Sequence, residues 1–144
     1  MNTQLTLQHI AAGGLEKSAA DTLNISGLLS IAANLKAIHV STKRYSQHMA
    51  LDEAFDDLNE SMDKFNECVQ GYYIRKKGSR LKLSNPEIKF TLPPDNKVFE
   101  AVKKLEDSFV VAANKVTNGS SPLRSLQDDV LNCFYQLYYR LDLN

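Results

Sequence analysis

Four side chains in the stretch HMALDEAFDDLNESMDKFNE, residues 48–67, have the types and the spacing of metal ligands: His48, Asp52, Asp63 and Glu67. One imidazole and three carboxylates suit ferrous iron or another divalent first-row cation better than a thiolate-seeking metal. They form two pairs four residues apart, and residues so spaced stand one above the other on a helix, so each pair could grip one cation. Fifteen residues separate His48 from Asp63, about 22 Å at a rise of about 1.5 Å per residue, which is far beyond the first shell of one ion. A single copy therefore cannot close the site. The positions are nevertheless symmetric, because 48 and 67, like 52 and 63, lie equally far from a point between residues 57 and 58. An antiparallel second copy would set His48 and Asp52 against Asp63 and Glu67 of its mate, and an isologous dimer of this kind builds two identical sites.

These residues need a helix to carry them, and the same stretch encodes one. Leu51, Phe55, Leu58, Met62, Phe65 and Val69 recur at alternating steps of four and three, which keeps them on one narrow inward face at about 100° per residue. The ligand pairs lie beside that face, with Asp56 and Asn59 on the same flank, while Glu53 and Asp57 turn toward solvent. The helix is expected from about Ser46 to Tyr72, with Tyr45 and Ser46 marking the turn into it. Seven acidic residues fall between Asp52 and Glu67 inclusive, so a merely solvated acidic flank is the competing reading. His48 at the fitting end and the two-fold symmetry of the spacing are what distinguish a site from that background.

Three further helices are expected. The first, from about Thr22 to Lys43 with Asp21 or Thr22 as cap, presents Ile25, Leu28, Ile31, Ala32, Leu35 and Ile38 inward. His39 borders that face, either as a core-edge histidine held by a hydrogen bond or as a further metal ligand. The third should begin near Asp95 or Asn96, turn Phe99, Val102, Leu105, Glu106, Phe109, Ala113 and Val116 inward, and end at Asn118-Gly119. Glu106 is expected to pair with Lys103 or solvent. The fourth opens with Ser121 as cap and Pro122 in its first turn and buries Leu123, Leu126, Val130, Cys133, Phe134, Leu137 and Leu141. Residues 1–20 read as an arm. Residues 71–95 read as a long crossover, which is needed when the second and third helices run parallel. Within it Arg75, Lys76, Lys77, Arg80 and Lys82, beside Tyr72 and Tyr73, form the best nucleic-acid candidate in the chain, although a short basic run in a solvated loop is the simpler reading.

The 144 residues suit one domain with a substantial core. Seventeen basic and seventeen acidic side chains cancel, so no global field draws the chain to DNA or an anionic membrane. Cys68 and Cys133 read as isolated, buried, reduced thiols. With no apolar run long enough to span a bilayer and no secretory leader pattern, a cytoplasmic location is expected, the host cytoplasm if the chain is phage-encoded. A glycine-rich phosphate loop, paired CxxC, HExxH and GxSxG are all missing.

The spacing of His48, Asp52, Asp63 and Glu67 resembles the ferroxidase ligands of the Dps family, the mini-ferritins whose iron sites straddle a two-fold interface. The string HVSTKRYSQHMALDEAF, with His39, Thr42, Tyr45 and His48 and the later Gln70-Gly71, also looks like a compact variant among ferritin-like proteins of tailed phages. The likeness covers about residues 25–72; elsewhere only the helical layout is shared. The resemblance implies an all-α, ferritin-like four-helix bundle with a long crossover between its second and third helices. It further implies oxidation of Fe(II) by peroxide or oxygen, storage of ferric mineral in a twelve-subunit shell, and His39 as the family's additional histidine, here nine residues before His48 where the family gap is longer. The ExxH pair of full-size ferritins is absent. A family arm that binds DNA has little counterpart, since Lys17 is the only Lys or Arg before Asn24. Two other classes remain open: a non-enzymatic structural or interaction bundle, and a DNA-binding protein using the 75–82 cluster.

Overall fold

The computed structural model describes residues 25–82 and 92–143, with side chains described from Leu29 onward. The expected arm at 1–20, the caps Asp21 and Thr22, and the middle of the crossover lie outside the described residues. Four α-helices pack together: α1 (Ile25–Ser41), α2 (Tyr45–Lys77), α3 (Val98–Thr117) and α4 (Ser121–Asp142), with a single 3-10 turn at Asp95–Lys97 leading into α3. Among the described residues no strand is present, and no helix is long and apolar enough to cross a membrane.

The helices exist because their apolar stripes need one another. Leu51, Leu58, Met62, Phe65 and Val69 of α2 are buried against Ile31, Leu35 and Ile38 of α1, Val102 and Phe109 of α3, and Val130, Phe134 and Leu137 of α4. Each such side chain contributes about 1.5–3 kcal/mol on burial. Phe65 and Phe109 meet edge to face at 5.5 Å between ring centroids, which adds a directional contact to the area term.

The chain ends of the helices show how they run. The Lys43 amide donates to both carboxylate oxygens of Asp95, at 3.2 and 3.3 Å, and Gln47 Nε2 donates to the Asp95 carbonyl at 2.9 Å. The start of α3 is thereby fastened to the start of α2. Along their shared seam α2 and α4 are antiparallel, with Glu53 near the start of α2 paired to Arg140 near the end of α4 at 3.1 Å, and Ser61 facing Cys133 at 3.5 Å. α2 and α3 therefore begin at the same end of the bundle.

Several expected boundaries shift. The second helix does not stop at Tyr72: it continues to Lys77 and ends where Gly78, at φ 77°, donates its amide to the Ile74 carbonyl at 3.0 Å. Gly71 costs a helix only about 1 kcal/mol relative to alanine, and burial of Tyr73 in the next turn offsets that. Residues 71–77 thus belong to α2 and not to the crossover. Tyr45 opens α2 instead of marking the turn before it. Phe99 is exposed while its neighbour Val98 takes the core position, and Ser120, one residue earlier than expected, caps α4 by accepting from the Leu123 amide. Cys68 is exposed and Cys133 half-buried, and both are free thiols, so neither is the fully buried cysteine expected.

Candidate metal half-site

The turn between α1 and α2 is where the predicted ligands begin to meet. Residues 42–44 are too few to let the chain wander, and they are pinned from inside by the buried Gln47, whose Oε1 accepts from Thr42 Oγ1 at 2.9 Å while its Nε2 reaches Asp95. This sets the last turn of α1 against the first turn of α2. His39 and His48 stack as a result, with ring centroids 4.1 Å apart and planes inclined by 27°.

One hydrogen bond orients His48. Its Nδ1 lies 3.0 Å from the His39 carbonyl oxygen, and because a carbonyl can only accept, Nδ1 must carry the proton. In the neutral ring Nε2 then keeps its lone pair for a cation, the arrangement in which an outer contact fixes the tautomer of a metal-binding histidine. One turn further along α2, the Asp52 carboxylate is exposed and its Oδ1 lies 3.4 Å from His39 Nε2.

His39 itself is only 7% exposed, and among the described residues neither of its ring nitrogens has a hydrogen-bond partner. Asp52 is near enough for a charge contact but not aligned for a hydrogen bond. Burial lowers the His39 pKa below its ordinary value, His48 and Lys36 lower it further, and Asp52 opposes them. The ring is thus kept neutral and able to donate a lone pair, while its missing partners leave a desolvation cost unmet.

Asp63 and Glu67 do not join this group within one chain. Both are exposed on α2, about 16–28 Å along the helix from Asp52 and His48 by helical rise. Among the described residues no three His, Cys, Asp or Glu side chains are already arranged to hold a metal ion. The structure thus brings His39, His48 and Asp52 together at the α1–α2 turn and leaves Asp63 and Glu67 apart from them further along α2. Imidazole and carboxylate are donor types that a hard or borderline divalent cation takes.

The basic cluster is arranged differently from a loop patch. Arg75, Lys76 and Lys77 form the last turn of α2, where cations favour the carboxyl end of the helix dipole, and three consecutive residues fan through about 200° instead of sharing one face. Lys77 Nζ sits over the Tyr73 ring at 5.5 Å. Arg80 and Lys82 flank the buried Leu81, whose backbone is hooked by Gln70: its Oε1 accepts from the Leu81 amide at 2.8 Å and its Nε2 donates to the Leu81 carbonyl at 3.1 Å. A cleft of about 220 Å³ at the Asp95 end of the bundle, lined by Arg44, Gln47, Asp95, Phe99 and Asp142 among others, contains none of the predicted ligands.

Some of the polar partners were not readable in advance. Glu106 accepts from the Tyr138 hydroxyl of α4, not from Lys103, and burial together with this bond pushes the Tyr138 pKa well above its ordinary value. Gln47, which fixes the turn, carried no signal beyond its place beside His48.

The model of a family described as "Family of unknown function (DUF5856)" matches residues 39–141, a span that contains all five predicted ligands. An "Uncharacterized 14.6 kDa protein in mobD-ri intergenic region" of Enterobacteria phage T4 is 31% identical over 117 residues, covering 81% of this chain and 83% of its own length. No solved structure matches.

Proposed function

Since the chain belongs to DUF5856, a family of unknown function, we propose its activity from the site itself: it is a ferritin-like bundle of Dps type that pairs through α2 and oxidises ferrous iron at sites shared between the two copies. The observation that carries this reading is His39, a buried imidazole without hydrogen-bond partners among the described residues, stacked on the His48 ring and set beside the Asp52 carboxylate. Buried polar atoms are seldom left without partners, and a bound cation would supply one here.

In this reading His39, His48 and Asp52 of one copy and Asp63 and Glu67 of the other bind Fe(II) as substrate. Carboxylate donors stabilise the higher charge of Fe(III), so loss of one electron per iron to dioxygen or peroxide is favoured there. Residue positions support a two-fold pair; a twelve-subunit shell storing ferric mineral is the assembly that the family resemblance adds.

A second reading has its own support. Among the described residues no three-donor metal group is already formed, and a solvated acidic flank needs no cation, so a non-enzymatic interaction bundle, as a phage relative of unassigned role allows, accounts for the same fold. DNA binding by Arg75, Lys76, Lys77, Arg80 and Lys82 has weaker support because these side chains do not form one stripe. Anaerobic Fe(II) titration followed by exposure to oxygen separates the readings. Iron oxidation should outpace that in buffer and be lost in Asp63→Asn; wild-type protein no faster than buffer would falsify the enzymatic reading. Retention on DNA that is lost at modest salt and in Lys76→Glu would favour the third.

A further inference from the structure

The outer face of α2 carries more than the ligands. Tyr45, Asp52, Asp56, Asp63, Glu67 and Ile74 follow one another at steps of seven, four, seven, four and seven, and so fall within an arc of about 60°. No lysine or arginine shares that arc. The four carboxylates in its middle are exposed, and so are the apolar residues at its two ends, Tyr45 at 76% and Ile74 at 44%. An apolar residue thus stands at each end of the acidic stripe.

This arrangement suits a surface that meets its own copy with a cation between. In the antiparallel register that sets His48 against Glu67, Tyr45 lies across from Gln70, with the mate's Ile74 about one turn further along. Helical side chains lean toward the helix N-terminus. Tyr45 and the mate's Ile74 therefore lean toward each other, and the two-fold repeats the contact at the far end. Between these contacts lie eight carboxylates, four from each copy, which repel when brought together without counter-charge. The second sign of a cation is His39, more than nine-tenths buried, without hydrogen-bond partners among the described residues and adjoining Asp52.

We propose that a divalent cation controls the pairing of two copies of this chain along α2: without it the acidic stripes hold the copies apart, and with it the Tyr45 and Ile74 contacts close and fix the register. This rests on the shared-site reading above and adds regulation to it. Because linkage is reciprocal, whatever factor the cation adds to pairing, pairing adds to cation affinity. Metal-free chains then remain single and each cation is captured by two chains.

Sedimentation equilibrium of the full chain in EDTA and in zinc, a divalent cation that undergoes no oxidation, tests this. The expected result is pairing at least tenfold tighter in zinc than in EDTA. Ile74→Asp should abolish the zinc-induced pair while leaving the chain folded and helical in EDTA, since Ile74 lies outside the core. Asp56→Asn should strengthen pairing in EDTA. Equal pairing in EDTA and zinc overturns the regulation and leaves the shared site standing; zinc bound by chains that stay single overturns both. Zinc-induced pairing untouched by Ile74→Asp uses another face and overturns the proposal. Zinc-dependent pairing by a protein that fails to oxidise iron removes the enzymatic reading alone.

Discussion

Replacing His39 by leucine should make the metal-free protein more stable, an unusual outcome for a substitution at a buried position. The ring is 7% exposed and neither nitrogen has a hydrogen-bond partner among the described residues. A buried polar group left unsatisfied costs about 1–3 kcal/mol, and leucine carries no such group while occupying similar space. Against this stands loss of the stack on His48 and of the charge contact with Asp52. Stacked aromatic pairs contribute about 0.5–1.5 kcal/mol, and a charge contact to a half-exposed carboxylate adds little. The net gain is on the order of 1 kcal/mol, or about 2–4 °C in Tm for a chain of this size. Urea unfolding in EDTA reads this directly. In a divalent cation at about 100 times its Kd the wild-type protein gains roughly 2.7 kcal/mol, and His39→Leu should gain far less, so the order of stabilities reverses. A variant destabilised by more than about 1 kcal/mol in EDTA would show that His39 serves the fold, and the metal argument would lose its main support.

The remaining predictions concern pH, the polar core and the apolar core. Because the folded-state pKa of His39 lies below its ordinary 6.5, the unfolded chain binds more protons in the interval between the two values. The penalty for protonating His39 in the fold is therefore absent above 6.5 and grows as pH falls from 6.5 to the folded-state value, so stability is lost over that interval. Urea midpoints of the wild type should drop on acidification below 6.5, and an equally steep drop in His39→Leu would assign the effect to other groups. Gln127→Ala should cost about 1–3 kcal/mol, because Thr117 Oγ1 donates to Gln127 Oε1 at 2.9 Å in a buried setting and Gln127 Nε2 donates to Asn114 Oδ1 at 2.8 Å. Thr117→Val added to that background should recover part of the loss, and calorimetry that finds the two effects additive would show the groups to be independent. Leu58→Ala, at a fully buried position in the centre of α2, should cost about 2–5 kcal/mol; a chemical-denaturation loss below 1 kcal/mol would mean that the core there is not close-packed.

The exposed ends of the bundle illustrate how far apolar periodicity can be followed. Leu51, Leu58, Met62, Phe65 and Val69 are buried as their spacing requires, whereas Phe99, included for its hydrophobicity, lies about 80° off the stripe formed by Val98, Val102, Phe109 and Val116. It stacks instead on Tyr138, with ring centroids 4.9 Å apart. Gly71 misled in the opposite direction, since a glycine stops a helix only where a left-handed turn is needed, as at Gly78 and Gly119.

The chain's periodicity determined four helices, their inward stripes and the placement of His48, Asp52, Asp63 and Glu67 on one flank of α2, because those follow from the fixed rotation per residue within a single helix. Whether His39 stood near that flank was decided only by tertiary structure. Its distance from His48 depends on a three-residue turn held by Gln47 and Asp95, the latter far along the chain, and on the angle at which α1 packs against α2. Such contacts between elements leave no period in the sequence. The same holds for Gln127 beneath Thr117 and for Tyr138 on Glu106, where one helix completes a polar partner on another.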